Sequence, residues 1–560
     1  MKKTPLFFFA FIIALGASAQ SLVWAKSFGG AWTEVANDID AALDGTVYST
    51  GEFHSTVDFD PGIGIFQFST ANNISAGFVQ KLDENGNFLW AKALLDQEDV
   101  YAKIVKTDNA GHLYVAGYFT GDTIDIDPGV GVYNLTGPVN GKPFLLKLDT
   151  AGNFIWAKTI AGLYSGLANN LVIDDTGNIY FSGRFYGTTD FDPGPGVYNL
   201  VAGGTDIFVE KLDSTGNMVW AKSLEGGSND HSSSIAIDDA KNIYLAGRFS
   251  GTLDIDPSVG GVHNIMSTGT DALIVKLDNS GELIWYGQFS TQSNQASEVL
   301  TIDNNGHVYL TGNFRYTVDF DPGSGIHNEI GHPSDEHLYT VKLDTAGNFI
   351  WVRQIDVEGF LTCRYGVLIG NDNLIYTAGS FAGQPDFDPG NGVYSLNSGG
   401  SSDIFIQKMD TAGNFISCVG FGGNSIDHFS SFKKDAIGNI YLTGVFYDSA
   451  DLAPFSPISD HYSNGGQDIF LQKLHAPTAI ANVIKTNSVS VFPNPTNRTA
   501  SIVSNIPIRE VLVSDVLGRT VQHHTLQNSQ QLKLNLELPG IYFITVFSGN
   551  EVTTEKLVVN

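Results

Sequence analysis

The run Asp175-Thr176-Gly177-Asn178-Ile179-Tyr180-Phe181-Ser182-Gly183-Arg184-Phe185 decides the fold, together with Asp206-Ile207-Phe208-Val209-Glu210-Lys211-Leu212-Asp213-Ser214-Thr215-Gly216-Asn217-Met218-Val219-Trp220-Ala221-Lys222. Asp175 to Asn178 and Asp213 to Asn217 read as tight turns, in which Gly and Asn supply the positive φ that short hairpins need. Ile179 to Phe185, Asp206 to Leu212 and Met218 to Lys222 read as strands, and Asn170 to Asp174 upstream is a short apolar run of the same kind. The unit is thus four short antiparallel strands. A long connection between the second and third contains Asp190-Phe191-Asp192-Pro193-Gly194.

The unit repeats. Trp24, Trp90, Trp156, Trp220, Trp285 and Trp351 recur at intervals of 66, 66, 64, 65 and 66 residues, and Ser417 holds the next position. Four antiparallel strands per repeat, with no helical periodicity, is the arithmetic of a β-propeller. Ordinary blades take about 40–45 residues, and the surplus falls mainly in the Asp-x-Asp-Pro-Gly connection. Second strands end at Gly51, Gly117, Gly183, Gly247, Gly312, Gly379 and Gly444, which predicts seven blades. The last repeat lacks its fourth strand, whereas Leu22-Val23-Trp24-Ala25-Lys26 is a fourth strand without a partner. Pairing the two closes the ring and removes both exposed edges. The expected fold class is all-β, a seven-bladed propeller followed by a small C-terminal β-sandwich of Ig-like type. The expected boundaries are a leader at 1–19, the propeller at 20–475, a linker at 476–487 and the terminal module at 488–560.

These phrases resemble the bacterial SBBP-like β-propeller repeats. The matching residues include Asp175, Gly177, Asn178, Tyr180, Gly183, Phe208, Lys211, Leu212, Asp213, Gly216 and Trp220, and blade seven is degenerate. That family is functionally heterogeneous and implies no catalytic residues. The terminal module resembles the type A C-terminal sorting domain of the type IX secretion system. The resemblance rests on Val489 or Val491 before Pro493-Asn494-Pro495, on Asp515, Gly518 and Arg519, on Leu538, Gly540 and Tyr542, and on Lys556. It implies Sec export, handling by the type IX machinery as a partner, passage across the outer membrane, and removal of the domain. Met1-Lys2-Lys3, an apolar run from Leu6 to Leu15 and Ala17-Ser18-Ala19 fit a signal peptide cleaved between Ala19 and Gln20. No transmembrane segment is expected, because that apolar run is too short. A secreted or outer-membrane surface location follows.

Fifty-nine acidic residues against 30 basic ones give a net charge of −29. No basic face is visible, so nucleic acid is set aside as a partner. Two cysteines, Cys363 and Cys418, exclude a disulfide scaffold, and both are expected as unpaired, mostly buried thiols. The pairs Asp58/Asp60, Asp125/Asp127, Asp190/Asp192, Asp254/Asp256, Asp319/Asp321 and Asp386/Asp388 are candidate Ca²⁺ ligands, because residues i and i+2 of an extended segment point the same way. The competing reading is that Asp caps the turn amides and Pro-Gly sets the turn. Otherwise no cofactor is expected. The repeated Trp is assigned to packing between blades rather than to carbohydrate stacking. No serine elbow, zinc His-Glu-x-x-His or phosphate loop occurs, so no catalytic residue is named and no enzyme is expected. His327, His332 and His337 fall in the long loop of blade five, at a spacing that matches no common metal motif.

The leading expectation is therefore a secreted or surface binding protein, its long-looped face presented to a glycan or protein ligand. Two alternatives stand beside it. One is a secreted polysaccharide hydrolase or lyase using carboxylates from distant strands. The other is a calcium-dependent structural or adhesive protein.

Overall fold

The computed structural model describes residues 21–560 apart from 72–73, 138–141, 161–169, 259, 292–295, 334, 356–364, 454–459, 476–488, 493–495, 497, 516–518, 537, 549–550 and 560. The leader with Ala19 and Gln20, the linker, Cys363, Pro493, Asn494, Pro495 and Gly518 lie outside the described residues. The chain divides into two compact units, Met1–Pro477 and Thr478–Asn560. Among the described residues every regular element is a β-strand, and no helix is long and apolar enough to cross a membrane.

The larger unit is propeller-like and built of antiparallel quartets. Asn170–Ile173 pairs with Ile179–Asp190, which pairs with Asn199–Leu212, which pairs with Met218–Gly226. The same order joins Val35–Ala41, Val47–Phe53, Ala76–Leu82 and Phe88–Leu94, and then Val100–Thr107, Leu113–Phe119, Lys142–Leu148 and Phe154–Thr159. It recurs in His231–Ile237, Ile243–Asp254, Asn264–Leu277 and Leu283–Thr291, and in Ala296–Ile302, Val308–Phe314, His337–Leu343 and Phe349–Ile355. Gly366–Ile369, Ile375–Phe381, Asp403–Met409 and Phe415–Gly423 repeat it once more. In the last quartet Asp427–Lys434, Ile440–Asp451 and Asp460–Leu474 take Leu22–Gly30 as their fourth strand, with Trp24 opposite Lys473 and Phe28 opposite Ile469. The innermost strands touch in sequence order, and Asp427–Lys434 returns against Val35–Ala41.

The turns explain why the repeat phrase is what it is. Asp174 Oδ1 accepts the N–H groups of Thr176 and Asn178, and Gly177 sits at φ 84°. The Asp therefore fixes the hairpin, and Gly takes the one position an L side chain would strain. Tyr180 Oη donates to Asp174 Oδ2 (3.2 Å), and Lys211 Nζ lies 4.8 Å from the Tyr180 ring centroid. The same Asp–Tyr–Lys contact recurs with Asp238, Tyr244 and Lys276 and with Asp303, Tyr309 and Lys342. Each tyrosine is completely buried, and its carboxylate partner satisfies the hydroxyl that burial would otherwise leave bare.

The tryptophans tie one quartet to the next. Trp24 Nε1 donates to Glu84 O, Trp90 to Thr150 O, Trp220 to Asn279 O, Trp285 to Thr345 O and Trp351 to Thr411 O, at 3.1–3.3 Å. Every acceptor lies in the third-to-fourth hairpin of the following quartet, so the indoles serve contact between quartets.

The long connections are β-ribbons. Thr56–Asp58 pairs with Gln67–Ser69, Thr123–Asp125 with Asn134–Thr136 and Thr317–Asp319 with Asn328–Ile330. In the third, fourth and last quartets the second and third strands run unbroken into the same extension.

The smaller unit is all-β. Val489–Phe492 pairs with Thr499–Asp515, which pairs with both Thr520–Asn535 and Gly540–Ser548, and the last pairs with Glu551–Val559. Ile502, Ile508, Val511, Val513, Ile544, Val546 and Leu557 form its buried core.

Candidate functional site

The innermost strands surround a cavity of about 680 Å³, within the size range of small-molecule sites. Its wall is chemically divided. One side carries Val172, Ile235, Val299, Ile302, Val367 and Ile369, from four successive innermost strands. The other carries Asp38, Asp40, Lys103, Lys106, Lys433 and Lys434, from only three consecutive quartets. Four lysines against two aspartates leave this side positive.

Local register places these charges. Asp40, Lys106 and Lys433 each pair with the repeat tyrosine of their quartet, opposite Tyr48, Tyr114 and Tyr441. The corresponding residues elsewhere are Val172, Ala236, Thr301 and Leu368. Asp38 lies between the two neighbouring strands. Lys106 Nζ donates to Asp38 Oδ2 (2.7 Å), Val105 N–H to the same oxygen (3.2 Å) and Ser431 Oγ to Asp38 Oδ1 (2.7 Å). Asp40 Oδ2 accepts the N–H (2.7 Å) and hydroxyl (2.8 Å) of Thr107.

The electrostatics follow from this packing. Burial works against the Asp38 charge, but Lys106, Lys433 and the hydrogen bonds hold its carboxyl below the usual range. Burial raises Asp40, and the lowering effect of Lys106 does not fully offset it. Burial and the Lys106 ammonium push Lys433 below the ordinary lysine value. Among the described residues Lys433 makes no hydrogen bond or ion pair, whereas Lys106 spends its contacts on Asp38 and the Val105 carbonyl. Lys103 is paired with Glu52 and lies 5.5 and 5.8 Å from the ring centroids of the stacked Tyr101 and Tyr118. Lys434 is exposed and donates to Asn371 Oδ1 (3.2 Å), so Lys433 is the cavity cation least committed to protein partners and best placed for an incoming anion.

No sequence motif marks the cavity, yet a signal exists. The residue eight positions before each repeat tyrosine is Asp40, Lys106, Val172, Ala236, Thr301, Leu368 and Lys433. Charge is confined to positions that become neighbours once the ring closes.

The Asp-x-Asp-Pro-Gly residues are not brought together; each pair sits at the tip of its own ribbon. Asp58 Oδ1 accepts from Asp60 N–H (3.1 Å) and Phe66 N–H (2.8 Å), and Asp60 Oδ1 accepts from Gly62 N–H (2.8 Å). Asp125 and Asp127, Asp190 and Asp192, Asp319 and Asp321, and Asp386 and Asp388 repeat this set. Asp254 accepts from Asp256 and His263, and Asp256 from both donors of Ser258. One oxygen of each carboxylate is therefore engaged in closing the ribbon tip. The residue between the two acids is the anchor. Phe59, Ile126, Phe191, Ile255, Phe320 and Phe387 are all buried, and the Phe59 ring lies 5.2 Å from Phe53 and 5.1 Å from Phe78. Burying such a side chain stabilises by about 1.5–3 kcal/mol.

One third-strand position beneath these loops is Gln in three quartets and apolar (Leu146, Val275, Val341) in three more. Gln80 Nε2 donates to Phe59 O, Gln407 Nε2 to Phe387 O and Gln472 Nε2 to Leu452 O. Glu210 holds the corresponding place, is fully buried, and has a hydrogen-bond partner for neither carboxylate oxygen. Burial, with Asp192 and Asp190 nearby, pushes its pKa well above the usual value. A group whose pKa rises on folding stabilises fully below its unfolded pKa, and that stability is lost as pH rises toward the folded pKa. Glu210→Gln supplies the amide donor that the three Gln quartets use. It is expected to stabilise the chain by about 1–3 kcal/mol at neutral pH and by less near pH 4. Melting curves of the two chains at pH 4 and pH 8 check this.

The other singled-out residues are structural in their contacts. His327 packs 4.6 Å from Phe349, His332 Nδ1 lies 3.0 Å from Asp335, and His337 Nε2 accepts from His332 N–H. Among the described residues no group of three or more His, Cys, Asp or Glu gathers as metal ligands. Cys418 is buried and unpaired, and burial pushes its thiol well up. In the smaller unit Arg519 Nε donates to Asp515 Oδ2 (2.8 Å), and Tyr542 Oη donates to Leu538 O (2.9 Å). Gly540 opens the strand that pairs with the one bearing Lys556.

Comparison with known proteins agrees with the two-part chain. The chain is 23% identical over 368 residues to a WD repeat-containing protein of Acanthamoeba polyphaga mimivirus, covering 56% of this chain and 26% of that protein. It is 25% identical over 226 residues to the regulatory protein FlaEY of Caulobacter vibrioides, covering 38% and 22%. The matched region thus spans about a quarter of the length of either relative. Among solved structures, a protein of unknown function from Bacteroides caccae aligns over 60% of this chain and 94% of its own, at 10% identity and a TM-score of 0.27. Residues 490–560 match the family model of the secretion system C-terminal sorting domain. The chain therefore carries a type IX sorting domain at its C-terminal end, joined to propeller-like repeats, and is a secreted or cell-surface protein.

Proposed function

We propose that the chain is an exported ligand-binding protein. In this reading the quartets are the blades of one closed seven-bladed propeller over residues 20–475. The terminal module, an Ig-like sandwich over 488–560, delivers it to the type IX machinery. The binding site is the central cavity, and the ligand is a small anion with an apolar body, such as an aryl or alkyl carboxylate.

The observation that carries this reading is the segregation of charge: every lysine and aspartate among the described lining residues comes from three adjacent blades, while the other four present mainly apolar side chains with Ser233 and Thr301. A hydrophobic body on one side with a few placed polar groups on the other is the general form of a small-molecule site. Lys433 is the group expected to meet the carboxylate, and a charge-assisted hydrogen bond formed away from bulk water is among the stronger polar contacts. The long-looped face is less specific, because the same Asp-capped tip recurs there in six repeats.

The test is a thermal-shift and calorimetric screen of the full chain against apolar carboxylates, with neutral sugars and the matching amides as controls. Binding of one or more carboxylates is expected, weakened at least tenfold in Lys433→Met, with the amides inert. Carboxylate binding that is unchanged in the variant, or no binding across the panel, contradicts the reading.

A further inference from the structure

Three junctions between quartets share a feature separate from the cavity. At the sixth-to-seventh junction, Asp403 opens the third strand of one quartet and Asp427 opens the innermost strand of the next. Asp427 N–H donates to Ser402 O (2.9 Å), which locks the two residues side by side. Asp403 Oδ2 accepts from Gly399 N–H (2.8 Å) and Asp427 Oδ2 from Gly423 N–H (2.6 Å). A methyl group added to Gly422 would lie 2.5 Å from Asp427 Oδ2 and 2.7 Å from Asp403 Oδ1, so both carboxylates converge on this glycine. The same tie joins Asp230 N–H to Thr205 O beside Asp206, and Glu34 N–H to Gln467 O beside Asp468. Gly226 lies against Asp230 and Gly29 against Asp468, and Gly30 N–H donates to Glu34 Oε2 (3.1 Å).

Five carboxylate oxygens in these pairs are buried without any partner: Glu34 Oε1, Asp230 Oδ2, Asp403 Oδ1, Asp427 Oδ1 and Asp468 Oδ1. Their residues are at most 7% exposed. Two buried carboxylates facing each other with unmet lone pairs are costly unless a cation sits between them.

The repeats supply an internal control. At the first-to-second junction the corresponding residues are Ala76 and Val100, both buried, and the outer strand ends in Leu94 rather than glycine. At the fourth-to-fifth junction Asp271 accepts from the Gln288 amide (2.6 Å). A junction is thus built with a carboxylate pair and glycine or, at the first-to-second junction, with apolar residues. The pair behaves as a unit.

We propose that Glu34/Asp468, Asp206/Asp230 and Asp403/Asp427 each hold a hard divalent cation, Ca²⁺ by its preference for oxygen ligands, bridging adjacent quartets. Main-chain carbonyls and water complete each shell. These sites differ from the ribbon-tip aspartates.

The test is Ca²⁺ titration of the chelator-stripped full chain by calorimetry, with metal content by mass spectrometry. Three equivalents are expected, with dissociation constants of about 10⁻⁴–10⁻³ M or tighter, the range of extracellular modules, and a higher melting temperature in Ca²⁺ than in chelator. Asp427→Asn is expected to bind two. Should that variant fail to fold, the double change Asp403→Ala with Asp427→Val copies the apolar junction and is also expected to bind two. Absence of Ca²⁺ binding, as for pairs that share a proton instead, overturns the assignment. So does a stoichiometry that neither variant lowers, as for cations held at the ribbon tips.

Discussion

Deleting Leu22 to Gly30 is expected to abolish cooperative folding. That strand is the fourth of the last quartet and pairs along its length with Asp460–Leu474. It also brings Trp24, 8% exposed, and Phe28, 4% exposed, into the core shared by the first and last quartets. Losing a buried Trp or Phe side chain costs about 3–5 kcal/mol, so the two together rival the whole stability of a typical domain, about 5–15 kcal/mol. The deletion also bares two strand edges, Asp460–Leu474 and Thr56–Asp58, to edge-to-edge association. Size-exclusion chromatography with light scattering should find aggregate, and calorimetry no sharp transition. A monomer melting like the full chain would show that the strand is dispensable.

Gly117→Val is expected to be nearly as damaging, from a single position. The innermost strand Val100–Thr107 bulges between Ala102 and Ile104, opposite Gly117 and Ala116. The bulge brings the Tyr101 carbonyl oxygen into the space a Cβ on Gly117 would occupy, with the Phe144 ring closing the other side. Both obstacles are fixed, one being backbone and the other core, so the clash cannot be relieved by a rotamer change. The same arrangement joins Gly51 to the Val35 carbonyl, Gly247 to His231 and Gly444 to His428. A loss of about 3–5 kcal/mol is expected, the upper range for single substitutions. Gly227→Ala, where nothing lies within 4 Å of the added methyl, is expected to stay within about 0.5 kcal/mol. Urea unfolding of both variants measures the contrast.

The strands and turns were legible because their cues are local. Asp174, Gly177 and Asn178 declare a hairpin within five residues, and Ile179 to Phe185 carries its own alternation. What needed coordinates is what depends on register between distant residues. Gly117 reads as a strand-end punctuation mark, and only the bulge at Ala102 shows why no side chain fits there. The Asp-x-Asp-Pro-Gly stretch read as a connection, because its three-residue ribbon strands are too short to show a period. No local cue marks Phe59, between two acids, as a buried anchor. Asp38, Lys106 and Lys433 lie far apart in the chain and become neighbours only when the first and last quartets meet. Asp403 and Asp427 are 24 residues apart, each ordinary alone, and their unmet oxygens appear only once both are packed.

Both the cavity and the Glu34/Asp468 junction exist only if the ring is closed within one chain. The direct measurement is a cysteine pair at Ala25 and Gln472, which stand opposite each other across the closing strands, in a full chain with Cys363 and Cys418 replaced by alanine. Cross-strand neighbours lie close enough for a disulfide. On mild oxidation the account predicts a disulfide within the monomer, seen as faster migration on a non-reducing gel and reversed by reductant. Failure to cross-link, or cross-linking only between chains, would contradict it.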